Sequence, residues 1–326
     1  MPSVDPSPSC GRFPPRLTGG ESPRTADDVA IDWFSVTFFP ESPDLDVGAE
    51  SWELLKRIIG PVSGVEAPPT KGYATGCKFY VRRFGELVNI GRCDWGGALH
   101  LGRARLELFG SGSSIVKHWW GLVDWLNLQT DVSITRIDLA LDFLGGEVGI
   151  SDAVSWLQSG LFNNGGRNPR HSTPGDWLND QPVHGRTLEI GRRENGKMLR
   201  VYEKGRQLGD PTSEWTRFEV EIRNNDREIP LDVLTNPGRY FSGAYKALAQ
   251  LVTCPSERIA THQKEGQISV DRMASVVRTQ YGPFLHVLRA SLTSDQVIDA
   301  LSRPGVPRRL ERPAVAHSIE PMELLS

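Results

Sequence analysis

An α+β fold, with antiparallel sheets that pack helices on one face and keep a polar, charged face on the other, is predicted by three observations. Two mid-chain runs alternate apolar and charged residues with period two, an Asn-Gly pair separates two further strand-like runs, and helically spaced blocks stand apart from both. With 326 residues, 38% of them hydrophobic, the chain can bury a core of one large domain or two smaller ones.

From the N-terminus, residues 1–28 hold many prolines and few large apolar side chains and read as a disordered leader. Ile31 to Phe39 is rich in aromatic and β-branched residues, stops at Pro40, and reads as a strand. A helix is expected over Glu50 to Ile59, ended by Gly60-Pro61, and short strands between Gly72 and Phe109. Ser113 to Leu128 shows helical spacing, with Ile115, Trp119, Leu122, Val123 and Leu126 on one stripe and Ser113 or Ser114 as cap. Tryptophans at that spacing are core residues, and the same reading covers Trp119, Trp120 and Trp125.

The first unit to emerge is thus an N-terminal α+β half over 29–144. Residues 145–185, rich in Gly, Asn and Pro around one short helix at Ile150 to Ser159, read as a long loop or insertion. A hairpin and acidic strand follow over 186–250, where the pattern turns helical at Ala244 to Leu251, then C-terminal helices over 251–302, at Ser269 to Leu288 and Thr293 to Leu301, and a flexible tail over 303–326. No internal repeat is visible.

Composition narrows the function classes. Lys and Arg number 37 against 40 Asp and Glu, a net charge of −3, so any polyanion surface must be a local patch. Cys10, Cys77, Cys93 and Cys254 form no C-x-x-C pair, which excludes a zinc knuckle and a thioredoxin-type site. No run approaches the roughly 18 apolar residues of a membrane span, and Met1 to Thr25 lack an apolar signal core. The expectation is a protein of the cytoplasm with no membrane partner.

The chemistry sits on the alternating runs. In Thr135 to Phe143, Ile137, Leu139, Leu141 and Phe143 share one face, while Arg136, Asp138, Ala140 and Asp142 share the other. In Arg217 to Arg223, Phe218, Val220 and Ile222 alternate with Arg217, Glu219, Glu221 and Arg223. Between them, Asn195-Gly196 signals a two-residue hairpin turn. That register sets Glu194 opposite Lys197, Gly191 opposite Arg200 and Glu189 opposite Tyr202, with Arg200, Tyr202 and Lys204 in a row.

A tyrosine between cations and beside a carboxylate suits phosphoryl transfer from DNA to the phenol. That reaction needs a positioned nucleophile, a divalent cation and groups that hold the backbone. Tyr202, Lys204 and Glu189 are the candidate catalytic residues. Asp138, Asp142, Glu219 and Glu221 are candidate ligands, and an oxygen-only set favours Mg²⁺ or Mn²⁺. Asp138 and Asp142 lie roughly 13 Å apart along a strand and cannot both bind one ion, whereas Glu219 and Glu221, roughly 6.6 Å apart, can converge on one. Between Arg186 and Arg206, seven basic side chains face three acidic ones. Arg192, Arg193, Lys197, Arg200 and Arg206, with Arg136 and Arg223 on the strands, are the candidate DNA contacts, and binding should weaken steeply with salt.

These residues resemble the Rep_trans family of replication initiation factors, which includes filamentous-phage replication proteins, relaxases of some integrative elements and initiators of staphylococcal rolling-circle plasmids. The likeness rests on I-T-R-I-D-L-A-L-D-F at Ile134 to Phe143, on Thr187 to Asp210 and on Trp215 to Arg223, with weaker matches from about residue 30 to 310. It implies nicking of one strand at an origin, a 5′-phosphotyrosine bond and a free 3′-hydroxyl that primes rolling-circle synthesis. Tyr202, in R-V-Y-E-K, falls on the motif tyrosine, and the R-I-D-L-A-L-D and E-V-E strands on the acidic metal-binding positions. Glu189 departs from relatives that carry Tyr there.

Implied partners are origin DNA, as supercoiled duplex or single strand, a host helicase and polymerase, and a second copy of the chain, all in a bacterial host cell. The histidines at 100, 118, 171, 184, 262, 286 and 317 form no H-x-H, so carboxylates must hold any metal. Two other classes compete: a nucleic-acid-binding α+β module that does not cut, and a structural sheet whose charged faces only pair with each other. A covalent adduct separates the first reading from both.

Overall fold

A computed structural model describes residues 28–42, 46–163, 166–179, 185–261 and 281–302. All but the last residue of the leader expected over 1–28, the tail from 303, His184 and most of the helix expected over Ser269 to Leu288 lie outside them. The chain divides into two compact units, Met1–Thr261 and His262–Ser326. In the second, residues 281–288 and Ser294–Leu301 are helical, the latter opened by a capping box in which Thr293 and Gln296 exchange side-chain to backbone bonds.

The first unit is α+β, built on one antiparallel sheet of ten strands. In chain order its elements are β1 (Ala30–Phe39), α1 (Val47–Ile58), β2 (Ser63–Glu66), β3 (Thr75–Arg83), β4 (Glu86–Trp95), β5 (Ala104–Leu108), α2 (Gly110–Ser113) and α3 (Trp119–Asn127). Then come β6 (Thr130–Phe143), α4 (Ile150–Gln158), β7 (His171–Ser172), β8 (Thr187–Arg192), β9 (Lys197–Glu203), α5 (Lys204–Gln207), β10 (Thr216–Arg223) and α6 (Pro237–Ala244). The strands lie in the order β2-β3-β4-β5-β1-β6-β10-β9-β8-β7.

That order contains a duplication that the sequence hides. Each half runs strand, helix, four strands: β1, α1, β2 to β5, and β6, α4, β7 to β10. The halves are mirrored in the sheet about the central β1–β6 pair. Glu107 pairs with Ser35 and Arg92, as Glu219 pairs with Ala140 and Arg200. The expectation of no repeat is therefore corrected at the level of topology. The equivalent strands A-R-L-E-L and T-R-F-E-V share little beyond Arg-x-Glu, too little for a sequence signal.

One face of the sheet is the core, where Phe34, Val36, Leu106, Ile137, Leu139, Leu141, Phe218 and Val220 are fully buried. Burying such side chains contributes about 1.5–3 kcal/mol each. Asp46 caps helix α1, its carboxylate accepting from the Ala49 amide at 3.1 Å, and the helix begins at Val47, three residues before the expected start. The long helix expected over 113–128 is broken instead. The Lys117 amide donates to the Ile58 carbonyl at 2.9 Å, which ties the chain to the end of α1 before α3 begins. Trp125 packs edge-on to Phe38 at 5.0 Å and Trp119 to Phe34 at 6.0 Å, but Trp120 is exposed. Downstream, Pro237 opens α6 ahead of the stretch expected to be helical, and Leu248–Gln250 forms only a 3₁₀ turn.

Candidate active site

The other face of the sheet carries the charged residues in the alternation the sequence predicts. Asp138 stands opposite Glu221, Ala140 opposite Glu219, and Asp142 opposite Arg217 across β6 and β10, while Arg217 stands opposite Tyr202 across β10 and β9. This face is not open to water. Asp138 is 1%, Glu219 2% and Glu221 1% exposed, so each carboxylate needs a partner in the protein.

The hairpin register differs from expectation. A 3₁₀ turn at Arg193–Asn195 followed by Gly196 at φ 71° makes a four-residue loop in place of a two-residue one. Tyr202 therefore stands opposite Thr187, Glu189 opposite Arg200, Gly191 opposite Met198 and Arg192 opposite Lys197. The slip is two residues, so every side chain keeps its face. Glu189 shares the face of Tyr202 without standing across from it, and accepts from the Ser172 hydroxyl at 2.7 Å.

Tyr202 donates its hydroxyl to Glu219 Oε2 at 2.8 Å, and Arg200 holds the other oxygen of that carboxylate. Burial, with the Glu219 charge beside it, pushes the phenol well above its ordinary pKa. Arg217 donates to both oxygens of Asp142, at 2.8 and 2.7 Å, and at 2.8 Å to Asp32. Trp215 Nε1 completes Asp142 at 2.6 Å. Lys204 lies with its ammonium 5.4 Å from the Tyr202 ring centre, and burial together with Arg217 lowers its pKa.

Beside this group, Arg136 grips Asp138 through two bonds of 2.9 and 2.6 Å. Glu221 is held by Arg223 at 2.6 Å, Arg193 at 2.9 Å and Arg136 at 3.6 Å. Burial pushes Glu221 up, but these three cations hold its carboxyl below the usual range. Asp138 goes the other way: burial, reinforced by Glu219 and Glu221 against the pull of Arg136, raises it to about 7. Asp138, Glu219 and Glu221 make an oxygen-only donor set of the kind that takes Mg²⁺ or Mn²⁺, and Arg136, Arg193, Arg200 and Arg223 already pair with it. Among the described residues, however, no three acidic, histidine or cysteine side chains already converge as a cage.

Asp142 is taken up with Arg217 and Trp215, apart from the other three carboxylates. Of the candidate DNA contacts, Arg192 is exposed, Arg206 lies 3.7 Å from Glu203, and Arg136, Arg193, Arg200 and Arg223 are engaged on the sheet face. Lys197 lies on the helix side, where it donates to the Ala244 carbonyl and sits over the Tyr245 ring, and burial lowers its pKa to about 8.

Asp32 is the site residue that pattern reading misses. Ile31 pairs with Leu139 and Trp33 with Asp138, so Asp32 is the extra residue of a bulge, and the bulge turns both Asp32 and Trp33 to the charged face. Burial raises its pKa against the pull of Arg217. The one available signal was an Asp set in an otherwise apolar strand.

The first half carries the equivalent cluster. Arg92 donates to Asp94 at 2.7 Å, Arg105 pairs with Glu107 and lies 3.8 Å from Asp94, and Trp33 Nε1 reaches Glu107 at 3.3 Å. By register, Arg92, Asp94, Arg105 and Glu107 occupy the positions of Arg200, Tyr202, Arg217 and Glu219.

Compared with known proteins, residues 132–301 match the Rep_trans family, described as a replication initiation factor. The match starts in β6 and spans just over half of the chain. Among solved structures, a rolling circle replication initiator protein from Geobacillus stearothermophilus is 24% identical, with a TM-score of 0.45 over 60% of this chain and 74% of that one. DynU16, a protein of the dynemicin biosynthetic locus, is 16% identical, with a TM-score of 0.18 over 59% of this chain and 87% of that one. No curated protein matches. On the extent of the family match, with Tyr202 and the two acidic strands inside it, the chain belongs to the Rep_trans family of replication initiation factors.

Proposed function

We propose that this replication initiation factor is a tyrosine nickase that opens one strand of origin DNA, and that Tyr202 is its nucleophile. The observation that carries the reading is the 2.8 Å hydrogen bond from the Tyr202 hydroxyl to Glu219, set among Arg200, Arg217 and Lys204. A phenol with a raised pKa needs a base at the moment of attack, and Glu219 already accepts its proton. The bond that forms joins the Tyr202 oxygen to phosphorus, and the bond that breaks joins phosphorus to the 3′-oxygen. The strand leaves a 5′-phosphate on the tyrosine and a 3′-hydroxyl that primes synthesis. Lys204, an ammonium whose burial makes it a readier acid, is the group placed to protonate the departing oxygen.

Arg200 and Arg217 hold charge at the attacked phosphate, and Asp32 and Asp142 fix Arg217 from two sides. Glu189 stands cross-strand from Arg200 and adds a negative charge on the Tyr202 face of the hairpin. Asp138 and Glu221 with Glu219 are the residues that would hold Mg²⁺ or Mn²⁺, whose chemistry is to neutralise the non-bridging phosphate oxygens. Arg192, Arg206 and the arginines of the sheet face track the backbone on either side. Origin DNA is the substrate, and helicase, polymerase and a second copy are its partners in the round of replication that follows. No helix among the described residues is long and apolar enough to cross a membrane.

The test mixes the purified chain with supercoiled and single-stranded DNA of its replicon, with Mn²⁺ or with EDTA, and compares wild type with Tyr202→Phe on a denaturing gel. A metal-dependent adduct made by wild type alone is expected. Salt-sensitive binding with no adduct on any DNA would make the chain a binding module instead.

A further inference from the structure

The second half of the sheet shows what the first half leaves open. Past α6, Tyr245 is extended at φ −145° and ψ 148°, and its ring is buried on the helix side of the sheet. The ring meets Phe162 edge-on at 5.6 Å, lies 4.0 Å beneath the Lys197 ammonium, and donates its hydroxyl to the Ile190 carbonyl at 3.3 Å. Gly191, at φ 90°, makes room: a Cβ there would stand 2.8 Å from the Tyr245 oxygen. The ring thus fills a slot between the chain after α4, the end of β8 and the start of β9.

The equivalent place in the first half lies between the chain after α1, the end of β3 and the start of β4, and there the structure has a cleft of about 750 Å³. Its walls are aliphatic, from Ile59, Val62, Val81, Leu87 and Ile115, and Lys56, Arg82, Arg83 and Lys117 stand around it. Lys56 is paired with exposed Glu53 at 2.7 Å and lies over the Trp52 ring, and Arg82 donates to the Gly85 carbonyl at 2.7 Å. These solvent-facing contacts are ones a phosphate can displace at little cost. Phe84 and Leu87, at the hairpin tip beside the cleft, are exposed.

We propose that this cleft binds a nucleotide of single-stranded DNA, its base in the slot that Tyr245 fills in the other half and its phosphates against Lys56, Arg82, Arg83 and Lys117. A flat ring joined to a diester is the ligand that satisfies aliphatic walls and clustered cations together. An acidic peptide answers the charge but not the DNA chemistry of a replication initiation factor. The cleft lies six strands from β9, roughly 29 Å at about 4.8 Å per strand, so it holds DNA away from Tyr202. The proposal rests on the chain acting on DNA and is independent of which residue is the nucleophile.

The test is fluorescence anisotropy of a labelled twelve-nucleotide oligo-dT with the full chain in EDTA, from low to moderate salt. Arg82→Ala/Lys117→Ala should weaken binding about tenfold and flatten the log-log salt slope by about 1.4, two phosphate contacts at about 0.7 each. Ile115→Trp, which fills the cleft, should weaken oligo-dT about fivefold and leave an abasic strand of equal length unchanged. Unchanged affinity and slope in the double variant overturn the site. Equal binding of oligo-dT and the abasic strand, or tighter binding of a Glu-Tyr peptide that the double variant loses, overturns the occupant. Nicking assayed in parallel separates the readings: unchanged binding in variants of an active enzyme overturns the cleft alone, and a wild type that binds no DNA overturns both.

Discussion

The two halves of the sheet carry an equivalent square of four polar side chains that differs at one corner. In the first, Arg92, Arg105 and Glu107 surround Asp94; in the second, Arg200, Arg217 and Glu219 surround Tyr202. Asp94 is fully buried and capped by Thr70, which donates its amide at 3.2 Å and its hydroxyl at 3.0 Å. Every acceptor there is satisfied by a cation or a hydroxyl, and the group offers neither a nucleophile nor a proton. The comparison teaches that the arginine-carboxylate lattice is an architectural device of this sheet. Within the square the second half has a phenol where the first has a carboxylate, and beside it Asp142 faces Arg217 where Thr37 faces Arg105.

That contrast is broken most directly at Tyr202. Tyr202→Phe should abolish the covalent adduct and nicking while DNA binding persists, because phenylalanine keeps the ring and removes only the attacking oxygen. Glu219→Gln comes next. It keeps the shape but removes the proton acceptor, and single-turnover nicking should fall by about 10²- to 10⁴-fold. Nicking within twofold of wild type in this variant would move the general base elsewhere.

Stability separates the halves by a smaller margin. Arg217→Ala leaves two carboxylates, Asp32 and Asp142, without their shared cation, and urea denaturation should show a loss of about 3–5 kcal/mol. Arg105→Ala should cost less, about 3 kcal/mol, because it strands one buried carboxylate, Glu107, while Asp94 keeps Arg92 and Thr70. Equal losses would mean that the two lattices bear the same load.

How much of this was legible follows from what alternation encodes. The strands at 135–143 and 217–223 could be read because each has one wholly apolar face, and Tyr202 could be singled out because a phenol among cations is an odd choice for a solvent face. Alternation gives a face but not its cover. That Asp138, Glu219 and Glu221 are buried beneath Arg136, Arg193, Arg200 and Arg223 depends on side chains from three strands and the turn between β8 and β9. The hairpin register was misread because Asn195-Gly196 ends a longer loop, and Asp32 was missed because a bulge suspends the alternation where the two halves meet. The duplication is carried by topology and register, which a single sequence does not display.

The pH dependence tests Asp138. Its carboxyl titrates near 7 in the folded chain, above the ordinary value, so the folded state binds an extra proton between about pH 4 and 7. Its stabilising contribution is full at the acid end of that window and is lost as the pH rises through 7. Asp138→Asn removes the titration, so its unfolding free energy should fall less steeply than that of wild type between pH 4 and 7, whatever the offset between the curves. Parallel curves would show that Asp138 does not titrate in this window.

The smallest effect on the reaction is expected from Asp94→Asn. Asp94 stands where the other half has Tyr202, the proposed nucleophile, but it is sealed beneath Thr70 and bound by Arg92, with Arg105 3.8 Å away. Asparagine retains an acceptor for those donors and removes a charge that no reacting group meets. Nicking and adduct formation should stay within twofold of wild type, while the urea midpoint falls because two buried guanidiniums lose a full counter-charge. A large loss of nicking at unchanged stability would show that the first half takes part in the chemistry. The two clusters would then be working parts of one site, and the resemblance between them would reflect shared function as well as shared architecture.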